Sequence, residues 1–84
     1  MEYEVYLRRE AFDFPRQLRW DDREHLLGLL QCLGRDPFPR GDFSERDSSG
    51  REIEVLIIRR YAVLSWTDHA VKEVKVTDIR FADR

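Results

Sequence analysis

Residues 51–79 read REIEVLIIRRYAVLSWTDHAVKEVKVTDI, three apolar, β-branched runs parted by the polar joints Arg59-Arg60 and Thr67-Asp68-His69. Runs rich in Ile, Val, Tyr and Trp, broken at this interval by charged residues, are the pattern of an antiparallel meander. Strands are expected at 52–58, 61–67 and 71–77. Side chains alternate across a strand, so Ile53, Val55 and Ile57 share one face of the first and Glu52, Glu54, Leu56 and Ile58 the other. In the second, Tyr61, Val63, Ser65 and Thr67 oppose Ala62, Leu64 and Trp66. In the third, Lys72, Val74 and Val76 oppose Val71, Glu73, Lys75 and Thr77.

A sheet with an apolar face needs a cover, and residues 21–33 supply one. Leu26, Leu29, Leu30 and Leu33 fall at i, i+3, i+4 and i+7, one face of a helix. Asp21 with Glu24 three residues on predicts a capping-box start. Gly34 predicts a left-handed stop, with Pro37 preventing resumption. Gly28 in mid-helix costs up to about 1 kcal/mol against alanine, which points to a close approach of another element at that position. Upstream, residues 2–8 (EYEVYLR) alternate as a fourth strand whose neighbour the sequence does not name. Between Arg9 and Trp20, Pro15 allows either a short helix from about Pro15 or a kinked one from Glu10. Residues 34–50 read as a long connection anchored by Phe38 and Phe43, with a tight turn at Asp47-Ser48-Ser49-Gly50. The expected fold is α+β: a small, mostly antiparallel four-stranded sheet with two N-terminal helical segments packed on one face, forming one domain over 1–84.

Seventeen acidic against 15 basic residues give a net charge of −2, so no global attraction to nucleic acid or anionic membrane is expected. The one cysteine, Cys32, forms no internal disulfide and no cysteine metal site, which fits a reducing cytosol. The N-terminus lacks a basic and then apolar leader, and no apolar run approaches a membrane span. A cytoplasmic chain without cofactor, metal or membrane partner is expected.

Few residues carry chemistry. Arg59 and Arg60 sit at a strand joint, where a phosphate or carboxylate could be gripped, although paired arginines in a turn are ordinarily solvated. Arg80 would converge with them if the C-terminal segment folds back over the sheet. His25 and His69 are of the residue type suited to general acid or base work, but the Asp68-His69 neighbours point apart on a strand, and two histidines make a poor metal site. Cys32 reads as a small core residue next to the leucine face. Trp20 and Trp66 read as core or interface anchors, Trp66 being the candidate hot spot.

A strand, a helical segment, a capped Leu-rich helix ending Leu33-Gly34-Arg35-Asp36-Pro37, a Gly41-Asp42-Phe43 loop, and a meander with Arg60-Tyr61-Ala62-Val63-Leu64 together resemble the RelE/ParE superfamily of toxins of bacterial type II toxin–antitoxin pairs. The resemblance covers nearly the whole chain. It implies a compact toxin neutralised by an antitoxin whose disordered tail wraps it, with Leu26, Leu30 and Trp66 as partner-binding positions. In the RelE branch the toxin enters the ribosome and cleaves mRNA without metal, using cations to activate the 2′-hydroxyl and stabilise the phosphorane. In the ParE branch the target is DNA gyrase. Arg59, Arg60 and Arg80 match the family's catalytic cations. Its basic residues on the first meander strand are met here by Glu52 and Glu54, its arginine after the strand tyrosine by Ala62, and its C-terminal tyrosine by none in 79–84. Two functions are therefore expected: a toxin that cleaves mRNA or binds a target, or a non-catalytic interaction module of the same fold.

Overall fold

The structure, a computed structural model, describes residues 2–35 and 43–82. Its elements are β1 (Glu4–Leu7), α1 (Arg9–Arg16), α2 (Trp20–Arg35), β2 (Phe43–Arg46), β3 (Glu52–Ile58), β4 (Tyr61–Asp68) and β5 (Glu73–Phe81). The sheet order is β1-β5-β4-β3-β2. The meander pairs antiparallel, β3 with β4 and β4 with β5, while β1 lies parallel to β5 with Val5 opposite Val74 and Leu7 opposite Val76. The last strand thus returns beside the first, and α1 and α2 form the connection's layer over that side of the sheet.

The α+β architecture is as expected, with one strand more. β2 falls inside the stretch read as a long connection and pairs antiparallel with β3, Glu45 opposite Ile53. Four residues, Phe-Ser-Glu-Arg, carry no apolar alternation, so pairing to β3 rather than pattern makes them a strand. The turn that follows is the expected one. Asp47 accepts from the backbone N–H groups of Ser49 and Arg51 through one carboxylate oxygen, and Gly50 takes φ 86°.

β5 starts two residues later than expected because residues 69–72 turn, with Lys72 at φ 57°, and it runs on to Phe81. A register shift beside Leu64 and Ser65 lets β5 pass Thr77 unpaired and keep Val76 and Ile79 on one face.

α1 begins at Arg9, and Pro15 sits in its last turn rather than its first. The missing proline N–H costs one bond there, and the chain leaves the helix at once, through Gln17 N–H to Phe14 O (3.1 Å). α2 starts at Trp20, not after Asp21: Arg23 N–H donates to Arg19 O at 2.8 Å, which makes Arg19 the cap residue and puts Asp21 and Asp22 inside the first turn. Both carboxylates still favour the positive helix end.

Gly34 is helical, and α2 ends at Arg35. Its role is proximity. Tyr3 N–H donates to Gly34 O at 2.8 Å, and a Cβ at Gly34 would collide with Tyr3 O. Gly28, where close packing was expected, has nothing within 4 Å of a Cβ. The stop expected at Pro37 and the anchor at Phe38 lie outside the described residues, as does the side chain of Phe43.

Two buried clusters lie on opposite faces of the sheet. On the helix side, Leu26, Leu30, Leu33 and Ala11 pack on Tyr61, Val63, Val74, Val76 and Ile79. On the other, Ile53, Val55, Ala62 and Leu64 pack together, with Trp66 beside them. Phe14 closes one end of the first cluster edge-on against Phe81 and Tyr61, with ring centroids 5.1 and 5.9 Å away.

Candidate functional site

The three arginines singled out in the sequence are divided between the two faces. Arg59 and Arg60 form the β3–β4 turn, Arg59 at φ 56°. Arg60 leans toward the helices: its guanidinium lies 3.6 Å from the Asp22 carboxylate on α2 and 5.6 Å from the ring centroids of both Tyr61 and Phe81. Arg80 stands directly across from Ala62, and cross-strand partners share a face, so it belongs to the side away from the helices. There its Nη2 donates to Glu45 Oε2 of β2 at 3.1 Å. β5 runs to Phe81, and Ala82 N–H donates to Arg60 O, so the described part of the C-terminal segment stays in the sheet instead of folding over it. The fold-back that would bring Arg80 together with Arg59 and Arg60 is absent among the described residues, and Arg80 stands on the other face.

The face that carries Arg80 presents Ile53, Val55 and Ile57 from β3 and Ala62, Leu64 and Trp66 from β4. Glu52 and Glu54 alternate with these and belong to the opposite face, so they lie away from Arg80 and do not repel an anion there. Cations on the Arg80 face are already engaged. Lys75 lies 3.5 Å from Glu73 and 3.9 Å from Asp68, and 5.0 Å from the Trp66 ring centroid. Arg51 stacks over the same indole at 3.8 Å. Trp66 is thus half-buried between two cations rather than standing free.

Leu26 and Leu30, expected as partner-binding positions, are 0% and 2% exposed. The leucine face packs on the sheet, as its spacing predicts, and that burial takes these two positions out of reach of a partner. A shallow apolar groove of about 240 Å³ does run beside edge strand β1, lined by Val5, Leu7, Leu27, Leu30 and Gln31.

A second, larger cleft of about 470 Å³ lies between the first turns of α2 and the β3–β4 turn, lined by Asp21, Asp22, His25, Arg59, Arg60 and Tyr61. Sequence reasoning flagged His25, Arg59 and Arg60 separately, but nothing in the sequence joins residues 21–25 to 59–61. Packing of α2 on the sheet end does so. His69 is elsewhere: its Nδ1 lies 3.0 Å from the Tyr3 hydroxyl, tying the β4–β5 turn to the N-terminal segment. Cys32, expected in the core, is exposed, because it lies beside the leucine face rather than on it, with its thiol directed at Gly28 O (3.5 Å). Among the described residues, no three His, Cys, Asp or Glu side chains gather as metal ligands, and no helix is long and apolar enough to cross a membrane.

No protein-family model and no curated protein sequence matches the chain. Solved structures do. The chain is similar to one in a toxin–antitoxin complex of Mycobacterium tuberculosis, with TM-score 0.79 and 16% identity over 96% of this chain and 99% of that one. It is similar to one in the archaeal RelE–RelB complex of Pyrococcus horikoshii, with TM-score 0.76 and 16% identity over 100% and 99% of the two chains. The E. coli RelBE complex gives TM-score 0.73 and 19% identity over 98% and 99%. The chain has the RelE fold. At these identities the likeness fixes the path of the backbone and leaves the chemistry to this chain's own residues.

Proposed function

We propose that this protein is the toxin-fold member of a type II toxin–antitoxin pair, a single cytoplasmic domain held by an antitoxin, and that it acts through protein contacts rather than by cutting RNA. The toxin-pair reading is supported by likeness to chains of RelE-containing complexes over nearly the full length of both partners. The choice of protein contact is supported by one observation: Arg80 is paired with Glu45 and stands on the opposite face of the sheet from Arg59 and Arg60, so the three cations do not gather.

Metal-free cleavage of an RNA strand needs a base for the 2′-hydroxyl, cations for the phosphorane and an acid for the leaving oxygen. Arg80 could supply one of these, after leaving Glu45. Arg59 and Arg60 are at the same end of the sheet but line the cleft on its helix side, so they do not complete the set. Ile53, Val55, Ala62 and Leu64 are themselves buried, so what this face offers a protein partner is the half-buried Trp66 set among paired charges.

The test has two parts. Co-expression with the product of the adjoining short reading frame is expected to yield a stable complex, and failure of the two to copurify would refute the toxin-pair reading. Induction of the isolated chain is expected to leave mRNA 5′ ends unchanged whether or not growth arrests. Arrest without new ends would direct the search to a bound target such as gyrase, and codon-phased new ends would restore ribosome-dependent cleavage.

A further inference from the structure

β1 is an edge of the sheet, and among the described residues no strand lies on its outer side. The N–H groups of Glu4 and Arg8 donate to Lys72 O at 3.1 Å and Val76 O at 2.9 Å, so the alternate residues Val5 and Leu7 turn their N–H and C=O groups away from β5. Tyr3 N–H, the next outward donor, is taken by Gly34 O, and Arg9 has entered α1, so the free edge is confined to Val5 and Leu7. β1 carries none of the proline, lysine or bulge that commonly blunts an edge. The apolar groove of about 240 Å³ lies beside the same two residues, with Leu27 and Leu30 of α2 also lining it.

We propose that β1 is a self-association edge, at which two copies of the chain pair antiparallel about a two-fold axis at Tyr6 and join their sheets into one. This inference stands apart from the toxin-pair reading.

The edge is complementary to itself in that register. Val5 of each copy meets Leu7 of the other, both with outward groups, and each such pair exchanges two main-chain bonds, four in all. Their side chains share the helix side, apolar against apolar, beside the groove. On the other face Glu4 of each copy meets Arg8 of the second, and opposite charges directly across a strand pair stabilise it. Tyr6 Oη donates to Glu4 Oε2 at 2.7 Å, which holds the carboxylate on that face, and Arg8 has only an exposed 3.8 Å pair with Glu10 to give up. A slip of two residues sets Val5 against Val5 or Leu7 against Leu7 and turns the remaining outward groups toward Tyr3, whose N–H is taken, or Arg9, which is helical. The contact is isologous and closes as a dimer.

Sedimentation equilibrium of the purified chain is expected to show monomer and dimer with a dissociation constant of roughly 10 to 100 μM, because residues 4–8 make a small interface. Glu4→Arg and Arg8→Glu each place two like-charge pairs in the dimer, and each is expected to weaken it about tenfold. Mixed in equal amounts, the two variants are expected to recover native affinity, since every opposing pair is again Glu with Arg. Both side chains are exposed, and recovery on mixing shows that neither variant is misfolded. Amide exchange at Val5 and Leu7 is expected to slow as concentration rises, while that at Glu4 and Arg8, already bonded to β5, stays the same. A chain that remains monomeric up to about 1 mM would overturn the proposal, as would a dimer that both single variants leave intact. A monomer whose Val5 and Leu7 amides are protected only on adding the adjoining-frame protein would make the occupant a strand of that partner, overturning self-association and leaving the toxin-pair reading in place.

Discussion

Alanine at Gly34 and at Gly28 is expected to change stability in opposite directions although both glycines lie in α2. Intrinsic helix preference favours alanine at either site by up to about 1 kcal/mol. At Gly28 nothing lies within 4 Å of the new Cβ, so that gain survives. At Gly34 the Cβ meets the backbone oxygen of Tyr3 and lies 3.1 Å from Val5 Cγ2. A backbone oxygen cannot rotate away, so α2 must lift from the segment leading into β1. That movement stretches the 2.8 Å bond from Tyr3 N–H to Gly34 O. Overpacking costs about 1 to 3 kcal/mol and a lost hydrogen bond about 0.5 to 1.5, which together exceed the propensity gain. The net expectation is a loss of about 1 to 3 kcal/mol. For a domain of this size each kcal/mol moves the midpoint by roughly 4 to 8 °C, so thermal unfolding followed by circular dichroism resolves the difference. Gly28→Ala should melt a few degrees above the native chain and Gly34→Ala well below it. A Gly34→Ala protein as stable as the native one would refute the close approach of α2 to Tyr3.

Leu26→Ala should cost about 2 to 5 kcal/mol in urea unfolding, because the side chain is 0% exposed in the helix-side cluster; a change under 0.5 kcal/mol would return it to the surface. Removing the exposed pair with Arg80→Ala should cost no more than about 1 kcal/mol, measured the same way. Asp47 has its carboxyl held below the ordinary 3.8, chiefly by the Ser49 hydroxyl and also by the N–H groups of Arg51 and Ser49, against a smaller opposing effect of burial. With the folded value depressed, the turn's contribution to stability is present above the unfolded value and fades as pH falls through the folded one. Carboxyl NMR titration should place Asp47 below the ordinary aspartate value, and Ser49→Ala should move it back up.

Strong alternation made the sheet's centre legible: β3 spans the residues expected and β4 one more, because Ile53, Val55, Val63 and Leu64 are buried in the faces that period two assigns. Weak local signals failed where tertiary packing decided. β2 has no pattern of its own, and α1 tolerates Pro15 because the helix ends within two residues. Asp21 has the chemistry of a cap, but Arg19 takes the position. For the site, the sequence singled out three arginines but not the faces on which they stand. Period two puts Glu54 and Val55 on opposite faces, but only the pairing of Arg80 with Ala62 tells which face is Arg80's. The cleft joining Asp22 to Arg60 spans 38 positions (60 − 22) and arises from how α2 lies on the sheet, which no local pattern encodes.

The proposal that this RelE fold acts by protein contact without RNA cleavage is tested by adding the purified chain to a translating ribosome extract and mapping mRNA 5′ ends. The same ends are expected with and without the protein. New ends in phase with codons, lost in a folded Arg80→Ala variant, would contradict it.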